Sequence, residues 1–459
     1  MRTLKHAHIM ILSVLCIAIA RDSAHAQQMP SAGFYERAAA RAESIFGKDD
    51  NGWAAFEAAI VDYAEYQERI DEPTRENEDF EQWLSIQLDA LRFGEYPRPG
   101  LERAEAFLRS DETTLHLKQI DEALRSPTVF RPWDASVTVY DSWSNASHAL
   151  IGRSRQTVAA STAQIRLAAA NKRSEEIPEH VRRCLLLARA MSSRGLMIDC
   201  LLVTSQEMRL NQELRTLVVE ILLDEVTLRG VINAIDQTPP VIPFEMVLES
   251  ERDFCMATFV EFAKENGWKA RPKKEAKFID EVFATSIELA RNPRRGRAAS
   301  ESMMQFAMRG LAGTKNQRQA RESLVGSVNQ VLDMDRTIRF DRAATRAMLL
   351  IALHRAQTGE WPQTIEGLAI PEDPIANRPF VYRRTPDAEA PFILYSVGSD
   401  GIDNGGKEKR GDAWDMPTPD DEGFDFVVSK ARLPYTPSDS LFPLKMPSGG
   451  DASEDDSGE

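Results

Sequence analysis

Apolar residues three and four positions apart run through most of the chain from Phe34 to Arg355. "GWAAFEAAIVDYAEYQERI" (52–70) and "DFEQWLSIQLDALRFG" (79–94) are clear cases, and this spacing gathers the apolar side chains on one face of an α-helix. The broadest stripe starts at Leu214, Leu217 and Val218, continues through Ile221, Leu222 and Leu228, and ends at Ile232 and Ile235. Such a stripe faces a core or a partner helix.

Breaks in the pattern are equally plain. "YPRPG" (96–100) cannot continue a helix, because each proline removes a donor and restrains the residue before it. "SPTVFRPWDASVTVYDSW" (126–143) reads as a non-helical insertion with a short strand over Val137–Tyr140. "QTPPVIP" (237–243) is another joint and "NPRRGR" (292–297) a basic loop. No motif recurs at the period of a helical-pair solenoid.

Beyond Asp341 the pattern changes. A helix, "DRAATRAMLLIALHRAQTG", ends at Gly359, Pro362 is a terminator, and Thr364 starts a short helical turn. "EDPIANRPFVYRRT", "APFILYSVGSDG" and "FDFVV" (424–428) are rich in aromatic and β-branched residues and predict strands. The last residues, "MPSGGDASEDDSGE", have no apolar period. The fold class is therefore mainly α: an irregular multi-helix domain over 27–335, then a small α+β module of one helix and a short antiparallel sheet over 336–430. A disordered acidic tail over 431–459 follows.

The opening residues change the picture. Arg2 and Lys5 make a basic start, "IMILSVLCIAIA" (9–20) an apolar core, and Ala24-His25-Ala26 an A-x-A site. These are the parts of a secretory signal over 1–26. The apolar core is too short to span a bilayer, which takes roughly 20 residues, so no membrane span is expected after cleavage. An uncleaved anchor is the other reading. Export places the protein in the periplasm or cell envelope.

Composition is globular, with 42% hydrophobic and 28% charged residues, and the formal charge of −15 argues against nucleic acid, whose phosphates demand a basic face. Cys184, Cys200 and Cys255 lie in apolar helical contexts without C-x-x-C spacing, so buried thiols or one disulfide with an odd thiol are expected. His116, His148, His180 and His354 show no paired metal spacing; His354 fits a core histidine and His180 a solvated first turn. No nucleophile elbow, phosphate loop or dinucleotide fingerprint occurs. Acidic pairs such as Asp224 with Glu225 and Glu249 with Glu251 read as solvated helix faces.

"AMLLIALHRAQTGEWPQTIEGL", the Asp-Pro and Asn of "DPIANRPFVYRR", and "LYSVGSDGIDNGG" resemble, in this order and spacing, the C-terminal part of the major pseudopilins of type II secretion systems. Uncharacterised exported bacterial proteins with a long helical region ahead of such a module are similar too. In the family the Asp-Gly loop binds calcium, which takes six to eight hard oxygen ligands. The resemblance makes Asp400 the best-matched side-chain ligand, with Asp412 or Asp421 closing the site and the carbonyls of Val397 and Ile402 available; Asp403 is a further candidate metal ligand without a firm counterpart in the family. A plain Asp-Gly hairpin turn with solvated acids is the alternative. Pseudopilins carry a long apolar helix directly after their leader, whereas "QQMPSAGFYERAAARAE" is polar, so a fibre subunit is not expected. The insert "KEKRGDAWDMPTPDDEG" is also longer than the family's loop.

The reading that follows is an exported, non-enzymatic structural or interaction protein of the cell envelope, with a protein partner and calcium at the C-terminal loop. An envelope enzyme, a hydrolase with its site in the helical region, is the competing class. The leader yields the first test: N-terminal sequencing of the exported protein should begin at Gln27, and a full-length product held in the membrane would refute the cleavage.

Overall fold

A computed structural model describes residues 33–47, 51–71, 105–136, 139–220, 223–239, 241–265, 272–291, 315–385, 391–408 and 423–429. The leader, the 79–94 helix, "YPRPG", "NPRRGR", Asp412, Asp421 and the acidic tail lie outside the described residues. The described chain is mostly helical, with one three-stranded antiparallel sheet near its end.

The helices are α1 (Phe34–Phe46), α2 (Trp53–Asp71), α3 (Asp111–Leu124), α4 (Val139–Ala170), α5 (Ile177–Met191), α6 (Met197–Glu220), α7 (Glu225–Gln237), α8 (Phe244–Glu265), α9 (Pro272–Arg291) and α10 (Lys315–Thr358). Local chemistry sets their ends. Ser110 caps α3 by accepting from the Thr113 amide at 3.1 Å, with Asp111 and Glu112 in the first turn against the helix dipole. Pro178 opens α5, where its missing N–H costs nothing.

Several expectations are corrected. Val139 and Tyr140 start α4 rather than forming a strand, since Ser142 Oγ accepts the Asp134 amide at 2.8 Å and seats the helix start. The Leu214–Ile235 stripe is divided between α6 and α7, because the Asp224 carboxylate accepts the Thr227 amide at 2.8 Å and starts a new helix. Around Thr364 the chain is irregular, with turns at Gly367 in place of a helical turn. The helix ending before Gly359 begins at Lys315, so α10 runs continuously past Phe340.

Two ion-paired seams bind the helices. Arg183 of α5 meets Asp121 of α3, both nearly fully buried, and Arg166 of α4 meets Glu213 of α6. Among them lies the main core, with Phe56, Ile60 and Tyr63 of α2, Leu117 and Ile120 of α3, Ile165 of α4 and Leu187 of α5.

The same apolar cluster continues into the sheet. Strands β1 (Val381–Arg384), β2 (Phe392–Ser396) and β3 (Phe426–Val427) pair in that order, with Tyr382 opposite Leu394 and Ser396 opposite Phe426. Side chains alternate across a strand, so Phe392 and Leu394 face α10 while Ile393 and Tyr395 face away. Phe340 of α10 meets Phe380 at 5.8 Å and Phe426 at 5.0 Å between ring centroids. In the full chain, Phe340→Ala should cost about 3–5 kcal/mol in urea unfolding. A loss below about 1 kcal/mol would mean that this ring does not hold the sheet to the helix.

Candidate functional site

A hollow lies under α1. That helix turns Phe34, Ala38, Ala42 and Ile45 toward the body, and alanines in the middle of the face leave a space that larger residues would fill. The cavity measures about 280 Å³. Its other walls are Phe130–Trp133, the Ser193–Gly195 turn between α5 and α6, and Ile242. Arg41 holds α1 in place, donating to Asp253 at 2.6 Å and to Ser250 at 2.9 Å on α8. Gly195 sits at φ +66°, and a side chain there would press on Ser250 and Ile242.

The charge of this wall is one-sided. Arg41, Arg131 and Arg194 line it and no carboxylate does, in a chain of net charge −15. Arg194 is only 9% exposed. It donates to the Ser142 carbonyl at 3.0 Å and the Pro132 carbonyl at 2.7 Å, and lies 4.3 Å from the centre of the Trp133 ring. Its Nε has no hydrogen-bond partner. Burial, and then the neighbouring Arg131, lower its pKa to about 9, so it stays charged at neutral pH.

Behind the wall lie two buried acids. Burial raises Asp199 to about 6, against the pull of Arg194 and Arg131. Burial, followed in effect by the opposing Met197 amide and the added charge of Asp199, leaves Glu251 at about 7. Glu251 accepts that amide at 3.0 Å, pinning the start of α6.

The two serines of the lining donate to main-chain oxygens. Ser193 Oγ donates to the Ala190 carbonyl at 2.6 Å and Ser250 Oγ to the Met246 carbonyl at 2.9 Å. Both protons are committed to helix carbonyls.

The histidines lie elsewhere. His180 is largely buried rather than solvated; its pKa falls to about 3 through burial and the charge of Arg183, whose Nη1 is 3.3 Å from Nδ1. His116 stacks on Tyr66 at 4.9 Å, and His354 is partly buried near the end of α10. His148 is in α4, with its side chain outside the described residues. The three cysteines are free, and burial pushes the Cys184 thiol up to about 11. Of the acidic pairs, Asp224 caps α7, Glu225 pairs with Arg229, and Glu251 is buried rather than solvated.

The Asp-rich loop folds back over the outer face of β2. Gly406, at φ +79°, comes so close that a Cβ would stand 2.7 Å from Ile393 Cδ1. Asp403 accepts from Tyr395 at 2.8 Å, from Arg383 at 2.9 Å and from the Gly405 amide at 2.9 Å. Arg378 donates to the Gly401 carbonyl at 2.6 Å, and Asn404 to the Ile402 carbonyl at 3.1 Å. Asp400 accepts from the amides of Ile402 and Gly423 at 2.9 and 3.0 Å. Asp425, not anticipated, is buried and takes the Asn404 and Gly406 amides at 3.2 and 2.7 Å. Asp403 thus faces a guanidinium, Asp400 keeps backbone partners alone, and no metal-sized group of acids forms among the described residues.

No family model matches the chain, and neither a curated protein nor a solved structure does.

The buried acids set a pH dependence. Their folded pKa values, about 6 and 7, lie above the roughly 4 of unfolded carboxyls, so the fold binds protons more tightly. Stability is full below pH 4 for these groups and is lost as pH rises through 6 and 7, by on the order of a few kcal/mol at pH 8. Glu251→Gln should flatten this slope in melts taken from pH 5 to 8; an unchanged slope would count against the assignment.

Proposed function

We propose that this is an exported, non-enzymatic interaction protein of the periplasm or cell envelope that works by binding. The observation that carries it is the pocket under α1, where three arginines meet an apolar hollow and both serine protons are held by helix carbonyls. Such a site retains a ligand without activating an attacking group. The leader-like first residues support export, and no described helix is long and apolar enough to cross a membrane.

The C-terminal module, resembling that of pseudopilins, enters this proposal as the surface for a protein partner. Calcium binding by its loop belongs to the proposal through Asp400, with Asp412 or Asp421 completing the shell and Asp403 held by Arg383 instead.

Two measurements test this reading. Chromogenic ester, glycoside and phosphate substrates should all be turned over no faster by the purified protein than by buffer; turnover lost in Ser193→Ala would make it a hydrolase. For the loop, excess calcium should raise the melting temperature of the wild type over that in chelator, and Asp400→Ala should remove the shift. Equal wild-type melts would leave an Asp-laced turn without metal.

A further inference from the structure

We infer that the cavity under α1 is a binding site for a small monocarboxylate with an apolar body, its carboxylate received by Arg194 and its body laid against Phe34, Ala38, Ala42 and Ile45. The inference rests on the reading of the protein as a binder and goes on to name the ligand class.

Charge comes first. A guanidinium buried to 9% exposure is costly unless an anion compensates it, yet Arg194 makes no ion pair among the described residues. Its described partners are two carbonyl oxygens and a π face, none carrying formal charge. Asp199 acts on it through space without touching it. Each Nη keeps a second N–H beyond these carbonyl bonds, and a pair of guanidinium N–H groups matches the two oxygens of a carboxylate. One unpaired cation calls for one negative charge, which favours a monoanion over a doubly charged phosphate.

Size and lining set the remainder. At roughly 30 Å³ per water-sized volume, about 280 Å³ takes a ligand of about ten non-hydrogen atoms. Apart from the arginines, Ser193, Ser250 and Tyr35, the walls are apolar, with Phe130 and Trp133 opposite the alanine face of α1. An apolar body is therefore favoured over an amino acid, whose ammonium would find no carboxylate on these walls. An ammonium would also be repelled by the unpaired guanidinium of Arg194.

The test is calorimetric titration of the full chain with octanoate, octan-1-ol, octylamine and octyl phosphate. Octanoate should bind one per chain, and the other three should bind at least about tenfold more weakly, a difference of about 1.4 kcal/mol. Ala42→Trp, at a half-exposed wall position, fills the hollow and should abolish octanoate binding while the unliganded melting temperature holds. Arg194→Gln should weaken octanoate at least tenfold and leave octan-1-ol unaffected. Octan-1-ol binding as tightly as octanoate would overturn the carboxylate assignment, and tighter octyl phosphate would replace it with phosphate. Equal octanoate binding by Ala42→Trp would overturn the site. Each of these failures leaves the non-enzymatic reading standing, whereas substrate turnover would remove that reading without touching octanoate binding.

Discussion

The structure depends on one buried carboxylate. Glu207 of α6 has a side chain only 2% exposed, and it accepts from Arg189 of α5 at 2.9 Å and from Arg342 of α10 at 2.7 Å. Burial raises its pKa, but the hydrogen bond from Arg342 and the charge of Arg189 outweigh this and bring it to about 2. Removing one member of such a group leaves an uncompensated buried charge, typically worth about 3–5 kcal/mol. Three helices are thereby locked at one point. Arg215 of α6 adds a contact with Asp341 of α10 at 2.6 Å, and Arg346 of α10 reaches Asp236 of α7. One side of α10 is fixed by charge, and the other side can then be given to aromatic packing against the sheet.

The same helix α6 carries a different electrostatic problem at its other end. Near its start, Asp199 and Glu251 are both buried and both pushed toward the protonated form. Arg194 beside them has its charge resisted by burial. At Glu207 the ions meet directly and compensate; here they are near one another but make no contact at Arg194. Charge is compensated less directly there than at Glu207, and the arrangement borders the cavity under α1. The contrast between the two ends of one helix separates scaffold from site more sharply than any single residue does.

The helical class, the three strands and the break after residue 126 were legible in sequence because each rests on local periodicity or on proline and glycine chemistry. The division of the Leu214–Ile235 stripe was not, since apolar period alone ignores a cap; Asp224 with Thr227 three residues on was the available signal. The start of α10 was missed because 315–340 is rich in charge and its apolar positions are sparse. The pocket was hidden for a different reason. Arg131 and Trp133 lie in the recognised insertion, Arg194 in a turn some sixty residues later and the alanines of α1 far upstream, so tertiary packing alone brings them together. The one local hint was "FYERAAARAE", a helix whose inward face is too small to fill its own contact.

In the loop after β2, the described acids are held by amides, a hydroxyl and a guanidinium. Several acids close together need positive charge, and a divalent cation is one source. In this chain Arg383 supplies it to Asp403 and Arg378 supplies it to the Gly401 carbonyl, from the strand and turn that lie alongside. Asp425 contributes without any cation by accepting two amides and drawing the loop onto the strand. Tyr395 closes the arrangement, its ring covered by Gly406 and its hydroxyl on Asp403. The loop therefore seals the second face of a sheet whose first face is already sealed by α10. Its glycines and aspartates therefore have a folding role of their own.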